Sequence, residues 1–406
     1  MKTNNLKQSA FIFVLLLGFI SLLSDFTHEG ARSIYGSYLE LIGASAFLIA
    51  LVSGIGELIG QTLRIVTGYI ADKSKKYWTM MFIGYSVNLL VIPLLYFVDG
   101  SIYYVAIILI LLERVGKGIR APAKSALTSF TASHLGVGKS FAIQEALDQF
   151  GAFLGPLFVF MVLSFKGDTS LSAYQLSFGL LGIFGVLTIV ILIIAKFKYP
   201  HPDEFEEVSP KGSLKGNKAF IFYMAGVTFI ALGFIDYPLL AFHLESNPTF
   251  DPIFIPLLYS LAMGVDAISA LIFGSIFDKK GIIALIIAII ISAFIAPLFF
   301  LGNTLFNIIG GVILWGIGMG AHESILKAVI AKVVSKENRA TAYGIFYTIF
   351  GISWFIGSVI VGSLYDFNLL FLVIYGSMME VMAVILLLIY KYKIEHKLNE
   401  EKASLT

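Results

Sequence analysis

Residues Glu113-Arg-Val-Gly-Lys-Gly-Ile-Arg-Ala-Pro-Ala-Lys-Ser-Ala-Leu127 place five charged side chains, two glycines and a proline directly after the apolar run Val105–Leu112. At helical spacing, Glu113, Lys117, Arg120 and Lys124 fall within about 60° of one another, with Arg114 about 60° further round. The result is one charged stripe on an otherwise oily helix. Charge inside a membrane span is costly and is turned toward a partner or a water-filled path. Function is therefore expected on this stripe, provided the chain around it lies in a membrane.

Composition says that it does. The 406 residues are 58% hydrophobic and only 13% charged, with a mean hydropathy of +0.89, against about 25% charged in soluble domains. There is no cysteine, which removes disulfides, thiolate nucleophiles and Cys-ligated metals. His28, His134, His201, His243, His322 and His396 show no short ligand spacing, so no metal or cofactor is expected. The net charge of +2 comes from segregated rather than patched basic residues and gives no sign of nucleic acid. Gly138-Lys139-Ser140 looks like the end of a phosphate-binding loop, but Ser133 stands where its first glycine is required and no strand precedes it.

Apolar stretches of about 20 residues occur twelve times, over 10–39, 46–71, 78–97, 102–127, 140–164, 173–196, 219–244, 253–277, 282–301, 305–333, 340–364 and 369–391. The first has no small-residue cleavage pattern and continues through Asp25, Glu29 and Arg32, so it reads as a span and not a secretion signal. With both termini cytoplasmic, 20 of the 28 lysines and arginines fall on the cytoplasmic side. Lys166 alone falls on the other side and seven lie within spans, as the positive-inside rule requires. The expectation is a multi-pass protein of the cytoplasmic membrane. Between Lys198 and Lys218, three prolines and the acidic run Asp203, Glu204, Glu206 and Glu207 read as a linker. The expected division is an N-terminal six-helix bundle (1–197), a cytoplasmic linker (198–218), a C-terminal six-helix bundle (219–392) and a cytoplasmic tail (393–406).

The halves echo one another. Gly68-Tyr-Ile-Ala-Asp72-Lys73 corresponds to Gly274-Ser-Ile-Phe-Asp278-Lys279, Gly116-Lys-Gly118-Ile-Arg120 to Gly318-Met-Gly320-Ala-His322, and Phe150-Gly151 to Phe350-Gly351. Three matches in one order indicate a duplicated six-span unit, the pattern of transporters built from repeats around a midplane site.

Across essentially its whole length the chain resembles the major facilitator superfamily. Gly68-Tyr-Ile-Ala-Asp72-Lys73-Ser-Lys-Lys76 looks like that family's signature between spans 2 and 3, with Ser74 and Lys75 where a glycine often sits. Arg114-Val-Gly-Lys-Gly118 is similar to the span-4 motif of drug–proton antiporters, whose arginine is implicated in proton coupling. Gly151-Ala-Phe-Leu-Gly155-Pro156 matches the core of their span-5 motif, but Val159 and Phe160 replace the two later glycines. Gly-Lys-Gly-Ile-Arg-x-Pro resembles a poorly characterised prokaryotic branch. The resemblance implies an all-α integral membrane protein with 12 transmembrane helices in two pseudo-symmetric six-helix bundles. It also implies a gate at Gly68, Asp72, Lys73, Lys76, Gly274, Asp278 and Lys279, with Asp72 facing the start of span 11 and Asp278 the start of span 5.

Spans 1 to 6 carry six acids (Asp25, Glu29, Glu57, Glu113, Glu145, Asp148) and six bases (Arg32, Arg64, Arg114, Lys117, Arg120, Lys124). At about 3 kcal/mol each, twelve charges facing lipid would cost on the order of 36 kcal/mol, so pairing inside the bundle is expected. Gly56, Gly60 and Gly68 in span 2, and Gly151 with Gly155 in span 5, suit close helix approach. Pro122 removes the hydrogen bond to the Gly118 carbonyl, either freeing it toward water or substrate or acting as an ordinary membrane proline. The second half holds Asp236, Asp266, His322, Glu323, Lys327 and Glu380; Glu380, on peripheral span 12, reads as structural.

These readings converge on a secondary transporter working by alternating access, with no enzymatic activity and no cofactor, and functional as a monomer. Its substrate site is expected at mid-membrane between spans 1, 4, 7 and 10. The substrate and proton-coupling residues are Asp25, Glu29, Arg32, Glu57, Arg114, Lys117, Arg120, Asp148, Asp236, His322 and Glu323, with Tyr35 and Trp315 as walls. Proton-coupled export of a small organic molecule is the expected activity. The alternatives are an organic-anion or phosphate-ester transporter, and a non-transporting receptor or assembly subunit on the same fold. Partners are the small-molecule substrate, H+ and the lipid bilayer.

Overall fold

The computed structural model describes residues 2–130, 137–201, 218–246, 250–302, 304–333 and 339–403. Within those ranges the side chains of 2–7, 72, 129, 137–142, 218–220, 278, 327, 331–333, 339–343 and 393–403 lie outside the description. Among the described residues the secondary structure is helical throughout. In chain order the α-helices are α1 (Lys2–Leu41), α2 (Ala46–Ser74), α3 (Tyr77–Leu90), α4 (Tyr103–Phe130), α5 (Val137–Lys166), α6 (Leu171–Lys198) and α7 (Lys218–Gly233). They continue with α8 (Tyr237–Glu245), α9 (Ile255–Lys280), α10 (Ile283–Ser292), α11 (Ile295–Leu301), α12 (Leu305–Val333), α13 (Arg339–Phe367) and α14 (Leu369–Ala403). Fourteen helices make twelve crossings because two spans are broken. Span 7 unwinds at Phe234, Ile235 and Asp236 between α7 and α8, and span 9 turns at Ala293 and Phe294 between α10 and α11.

Eleven of the crossings are long and apolar enough to identify by hydropathy alone, and α4 is the exception. At 28 residues it is long enough to span, and only Glu113, Arg114, Lys117, Arg120 and Lys124 hide it. The helix runs through Pro122 without interruption. The carbonyl that the proline leaves without its helical donor does not face water or substrate, because Thr67 Oγ1 of α2 donates to Gly118 O at 2.9 Å.

Two compact units form, and they are not the two halves of the sequence. The first comprises Met1–Ser45, Ile55–Ser209 and Tyr237–Ser260; the second comprises Ala46–Gly54, Pro210–Asp236 and Leu261–Thr406. In the first unit α1 packs along α5, α6 and α8, and α3 against α4. An apolar core gathers Phe13, Leu17, Met81, Leu127 and Leu192, closed by Trp78 Nε1 donating to Tyr199 O at 3.2 Å. In the second unit α7 packs against α13 and α14, and α10 and α11 against α12 and α14, over a core that includes Tyr223, Phe277, Leu285, Ile325 and Leu387.

The internal duplication is visible in which backbones touch. A Cβ on Gly151 would strike the Leu22 carbonyl of α1, and one on Gly357 the Leu232 carbonyl of α7. Gly116 of α4 lies against the Asn88 backbone of α3, while Gly318 of α12 lies against Ser292 of α10. Each unit thus brings corresponding helices into close approach at corresponding glycines, as small residues allow where no water drives helices together. Gly60 and Gly274 are not required by packing, since a Cβ there meets nothing within 4 Å.

At the loop end shared by Asp99 and Asp168, each carboxylate accepts from a serine two residues on, Ser101 and Ser170. Those hydrogen bonds hold both groups below the usual carboxylate range.

Replacing Gly151, Gly155 or Gly357 by alanine should lower the thermal midpoint of the detergent-purified protein, by overpacking of about 1–3 kcal/mol. Gly310→Ala, with nothing within 4 Å, should be neutral or stabilising by about 1 kcal/mol through helix propensity. Equal midpoints for Gly151→Ala and Gly310→Ala would contradict the packing.

Candidate functional site

The charged stripe of α4 closes against α1, α2, α3 and α5 in the first unit. Its centre is Glu113, which is fully buried. Asn88 Nδ2 of α3 donates to the Glu113 carbonyl at 3.1 Å and also to its carboxylate oxygen Oε1. His28 of α1, equally buried, brings Nδ1 to 2.7 Å from the same Oε1. Its other nitrogen, Nε2, lies 2.9 Å from Lys117 Nζ. An ammonium can only donate, so Nε2 is the acceptor and the ring proton sits on Nδ1, facing Glu113. Lys117, His28 and Glu113 thus line up as one chain of close polar contacts across α4 and α1.

Glu29 lies beside this chain and collects donors from three directions. Its Oε1 is 3.9 Å from Lys117 Nζ and 3.4 Å from His28 Nε2. Arg32 Nη1 donates to Oε2 at 3.5 Å, and Tyr259 Oη of α9 donates to the same oxygen at 2.7 Å. Tyr259 comes from the second half of the sequence but belongs to the first compact unit. It is the one donor to Glu29 that α1 and α4 do not supply.

Three further pairs run outward along the stripe. Arg114 Nη1 donates to Glu57 Oε1 of α2 at 3.0 Å, with Nε 3.4 Å from Glu113 Oε2. Gly56 makes room for this arginine, since a Cβ there would stand 3.0 Å from Arg114 Cγ. Arg114 thus pairs with Glu57, while Glu29 and Asp148 pair with other bases. Arg120 is held by Asn88 Oδ1 at 3.1 Å, Tyr85 Oη at 3.3 Å and Asp25 Oδ1 at 3.3 Å, with its guanidinium 4.5 Å from the centre of the Tyr85 ring. Lys124 donates to Asp148 Oδ2 of α5 at 2.7 Å, and Thr128 bridges the α4 backbone to Gln144 at 2.6 Å.

Pairing is thus extensive but not even. Glu145 is exposed on α5 and stands outside the pairs. Lys117 is the most exposed of the ion-paired bases, at 25% of its side chain. Burying two charges is repaid only when geometry and extra hydrogen bonds satisfy both, and Asn88, Tyr85 and Tyr259 supply those bonds here.

In the second unit the expected residues stay apart. Asp236 sits at the break of span 7, where Ser53 Oγ donates to its carboxylate. Trp315, fully buried, donates its Nε1 to the Ile235 carbonyl at 2.8 Å and so satisfies a group that the break exposes. His322 is buried edge-on against Phe234 at 5.1 Å, and neither of its nitrogens has a hydrogen-bond partner among the described residues. Glu323 is half-buried on the next position of α12. Tyr35 stacks on Phe178 at 5.9 Å and is buried.

Of the gate residues, Gly68 faces Pro122 of α4 at 3.6 Å, and Lys73, Lys76 and Lys279 are exposed at helix ends. Lys75 adopts φ +56°, the left-handed region that explains why a glycine suits this turn. The Asp72 and Asp278 side chains lie outside the described residues, as do the side chains at the starts of α5 and α13 that they were expected to face.

Sequence reasoning missed His28, Asn88, Tyr85 and Tyr259 as site residues. Asn88 had a readable signal, since it is an amide inside the apolar run 77–97 with no turn beside it. His28 had another in its position next to Glu29. Tyr259 had none, because only folding brings α9 to α1.

A family model, Major Facilitator Superfamily, matches residues 14–358. An uncharacterized protein of Mycobacterium tuberculosis (strain ATCC 25618 / H37Rv) is 34% identical over 389 residues, covering 93% of each chain. An uncharacterized MFS-type transporter of Methanocaldococcus jannaschii is 30% identical over 393 residues, 92% of this chain and 94% of that one. Among solved structures, the nucleoside transporter NupG superimposes with a TM-score of 0.70 at 16% identity, over 94% of this chain and 98% of its own. A D-xylose-proton symporter does so with a TM-score of 0.72 at 12% identity, over 93% and 97%. At these identities the structural likeness speaks for the fold alone. Family match, relatives and twelve crossings agree on a multi-pass membrane transport protein and not an enzyme. The chain belongs to the Major Facilitator Superfamily.

Proposed function

We propose that this transporter exports a small organic molecule in exchange for protons by alternating access, with Glu29 as the proton acceptor. The supporting observation is the donor set of Glu29. Arg32 and Lys117 come from helices that stay with it, whereas Tyr259 comes from the second half of the chain. While all three are in place the carboxylate is charged and held. When α9, whose residues beyond Ser260 belong to the second unit, shifts, Tyr259 withdraws, one donor is lost, and Glu29 takes up a proton. His28 and Lys117 then relay the change along α4 toward Glu113, and the Glu57–Arg114 pair stands next in line. The lysine-bearing turns after α2 and α9 form the cytoplasmic gate in this scheme.

A thermal-shift screen at two pH values against nucleosides, sugars, short peptides and amphiphilic amines should identify a ligand. In proteoliposomes, uptake of that ligand should follow an imposed pH gradient. Glu29→Gln should abolish gradient-driven accumulation while leaving exchange of labelled for unlabelled ligand. Tyr259→Phe, removing one hydrogen bond to a charged group, should weaken coupling about tenfold. Accumulation by the wild type that ignores the gradient would overturn the proposal.

A second reading draws on the exposure of Lys117. Lys117 and Arg120 would clamp an organic anion or a phosphate ester. Binding of anionic ligands should then fall at least tenfold in Lys117→Gln and depend on salt; binding that survives Lys117→Gln and Arg120→Gln together would exclude the clamp.

Both termini are proposed to face the cytoplasm. The cysteine-free sequence makes the test direct. A single cysteine at position 166 should react with an impermeant maleimide in intact cells, and one at position 76 only after permeabilisation. The reverse pattern would invert the orientation.

A further inference from the structure

Glu380 on α14 takes no part in the charge network of the first unit. Its residue is only 3% exposed, its Oε2 has no hydrogen-bond partner, and no ion pair among the described residues includes it. It lines a small pocket together with Phe234, Ile235, Ser292, Ala293 and Gly376. This pocket stands where both broken spans break. α7 ends at Gly233 and α10 at Ser292, while α11 begins at Ile295, whose first residues also line the pocket, so helix ends of both signs meet there beside a carboxyl group. Ser292 Oγ spends its proton on Ala288 O at 3.0 Å, and Ser377 Oγ spends its own on Ala293 O at 3.2 Å. A buried carboxylate with no ion-pair partner among the described residues and lipid-embedded helices around it favours taking up a proton.

We propose that Glu380 is a proton-binding site of the second unit, separate from the network around Glu29, and that it loads and releases H+ at the junction of the two helix breaks. One O–H bond forms on the carboxylate as a proton arrives from water, and the same bond breaks as the proton returns. The pocket wall links this event to the break of span 7. Phe234 lines the pocket on one side and packs its ring against His322 at 5.1 Å, Trp354 at 5.2 Å and Trp315 at 5.8 Å on the other. A change of charge at Glu380 therefore acts on the residue that begins the unwound segment.

The electrostatic surroundings are sparse. α10 and α11 carry no titratable residue. Among described side chains, α7 offers Tyr223, whose hydroxyl is committed to Leu326 O at 2.6 Å. α13 offers Tyr347, Tyr365 and Asp366, the last of which accepts from the Phe47 backbone at 3.2 Å. α14 itself offers Tyr375, Tyr390 and, at its far end, Lys391 and Tyr392. At the break stands Asp236, held by Ser53. His322 is the one imidazole facing the site, behind Phe234.

The test uses the full chain in lipid nanodiscs and needs no transported substrate. Infrared difference spectra between about pH 5 and pH 9 should contain a protonated-carboxyl stretch that is lost in Glu380→Gln and retained in Glu29→Gln. Glu380→Asp, which keeps the acid if the glutamine variant fails to fold, should shift that band rather than remove it. Three results would overturn the proposal. They are a spectrum indifferent to Glu380→Gln, a Glu380 band that does not change with pH, and a band that responds to replacing choline by sodium, which would make the site a sodium site. Because no transport is measured, failure here is distinct from failure of the Glu29 mechanism.

Discussion

Everything in the first unit follows from the difficulty of keeping Glu113 ionisable where no water reaches it. A fully buried carboxylate in a membrane helix must be given donors, and α4 cannot supply enough of them to itself. Asn88 therefore has to come from α3, His28 from α1, and Arg114 must be steadied by Glu57 from α2. Each of these needs its helix at close range. The glycines of the stretch allow this, with Gly116 against the Asn88 backbone and Gly56 beside the Arg114 side chain. Charge and close packing are two faces of one requirement here, because replacing either glycine by a larger residue would separate the groups that neutralise one another.

One backbone contact recurs in the second unit with different chemistry attached, since Gly357 meets the Leu232 carbonyl as Gly151 meets that of Leu22, while Gly318 meets the Ser292 side chain where Gly116 meets the Asn88 backbone. Yet His322, at the position corresponding to Arg120, has aromatic rings around it where Arg120 has Asn88, Tyr85 and Asp25. Duplication kept the scaffold, and the polar contents diverged. The second unit instead frees backbone carbonyls at two helix breaks, where Trp315 and Ser377 donate to them. Among the described residues the first unit interrupts span 3, at Pro93, where α3 gives way to a short 3-10 turn.

The boundary between units gives Glu29 its particular position. Residues 237–260 leave their sequence half and pack with the first unit, carrying Tyr259 to the carboxylate. A charge pair confined to α1 and α4 would move as one body. A pair completed by a hydroxyl from α9 depends on where α9 is, and the proposed coupling rests on that dependence.

Much of this was legible in the sequence. Hydropathy and lysine distribution determined the spans, the offset glycine motifs determined the repeat, and the charge tally on spans 1 to 6 determined that the stripe of α4 must find partners. These are local or periodic properties, set by the cost of polar groups in lipid. The sequence also named most of the participants, from Asp25 to Asp148. It could not assign Arg114 to Glu57, Arg120 to Asp25 and Lys124 to Asp148, nor show that Glu145 stays outside. It left open whether the Gly118 carbonyl turns to water or substrate, where Thr67 donates to it, and it gave no sign that span 7 would unwind beside Glu380. Only the tertiary structure decided those points. Which donor reaches which acceptor depends on helix tilt and rotation, and these are set by packing between segments far apart in the chain.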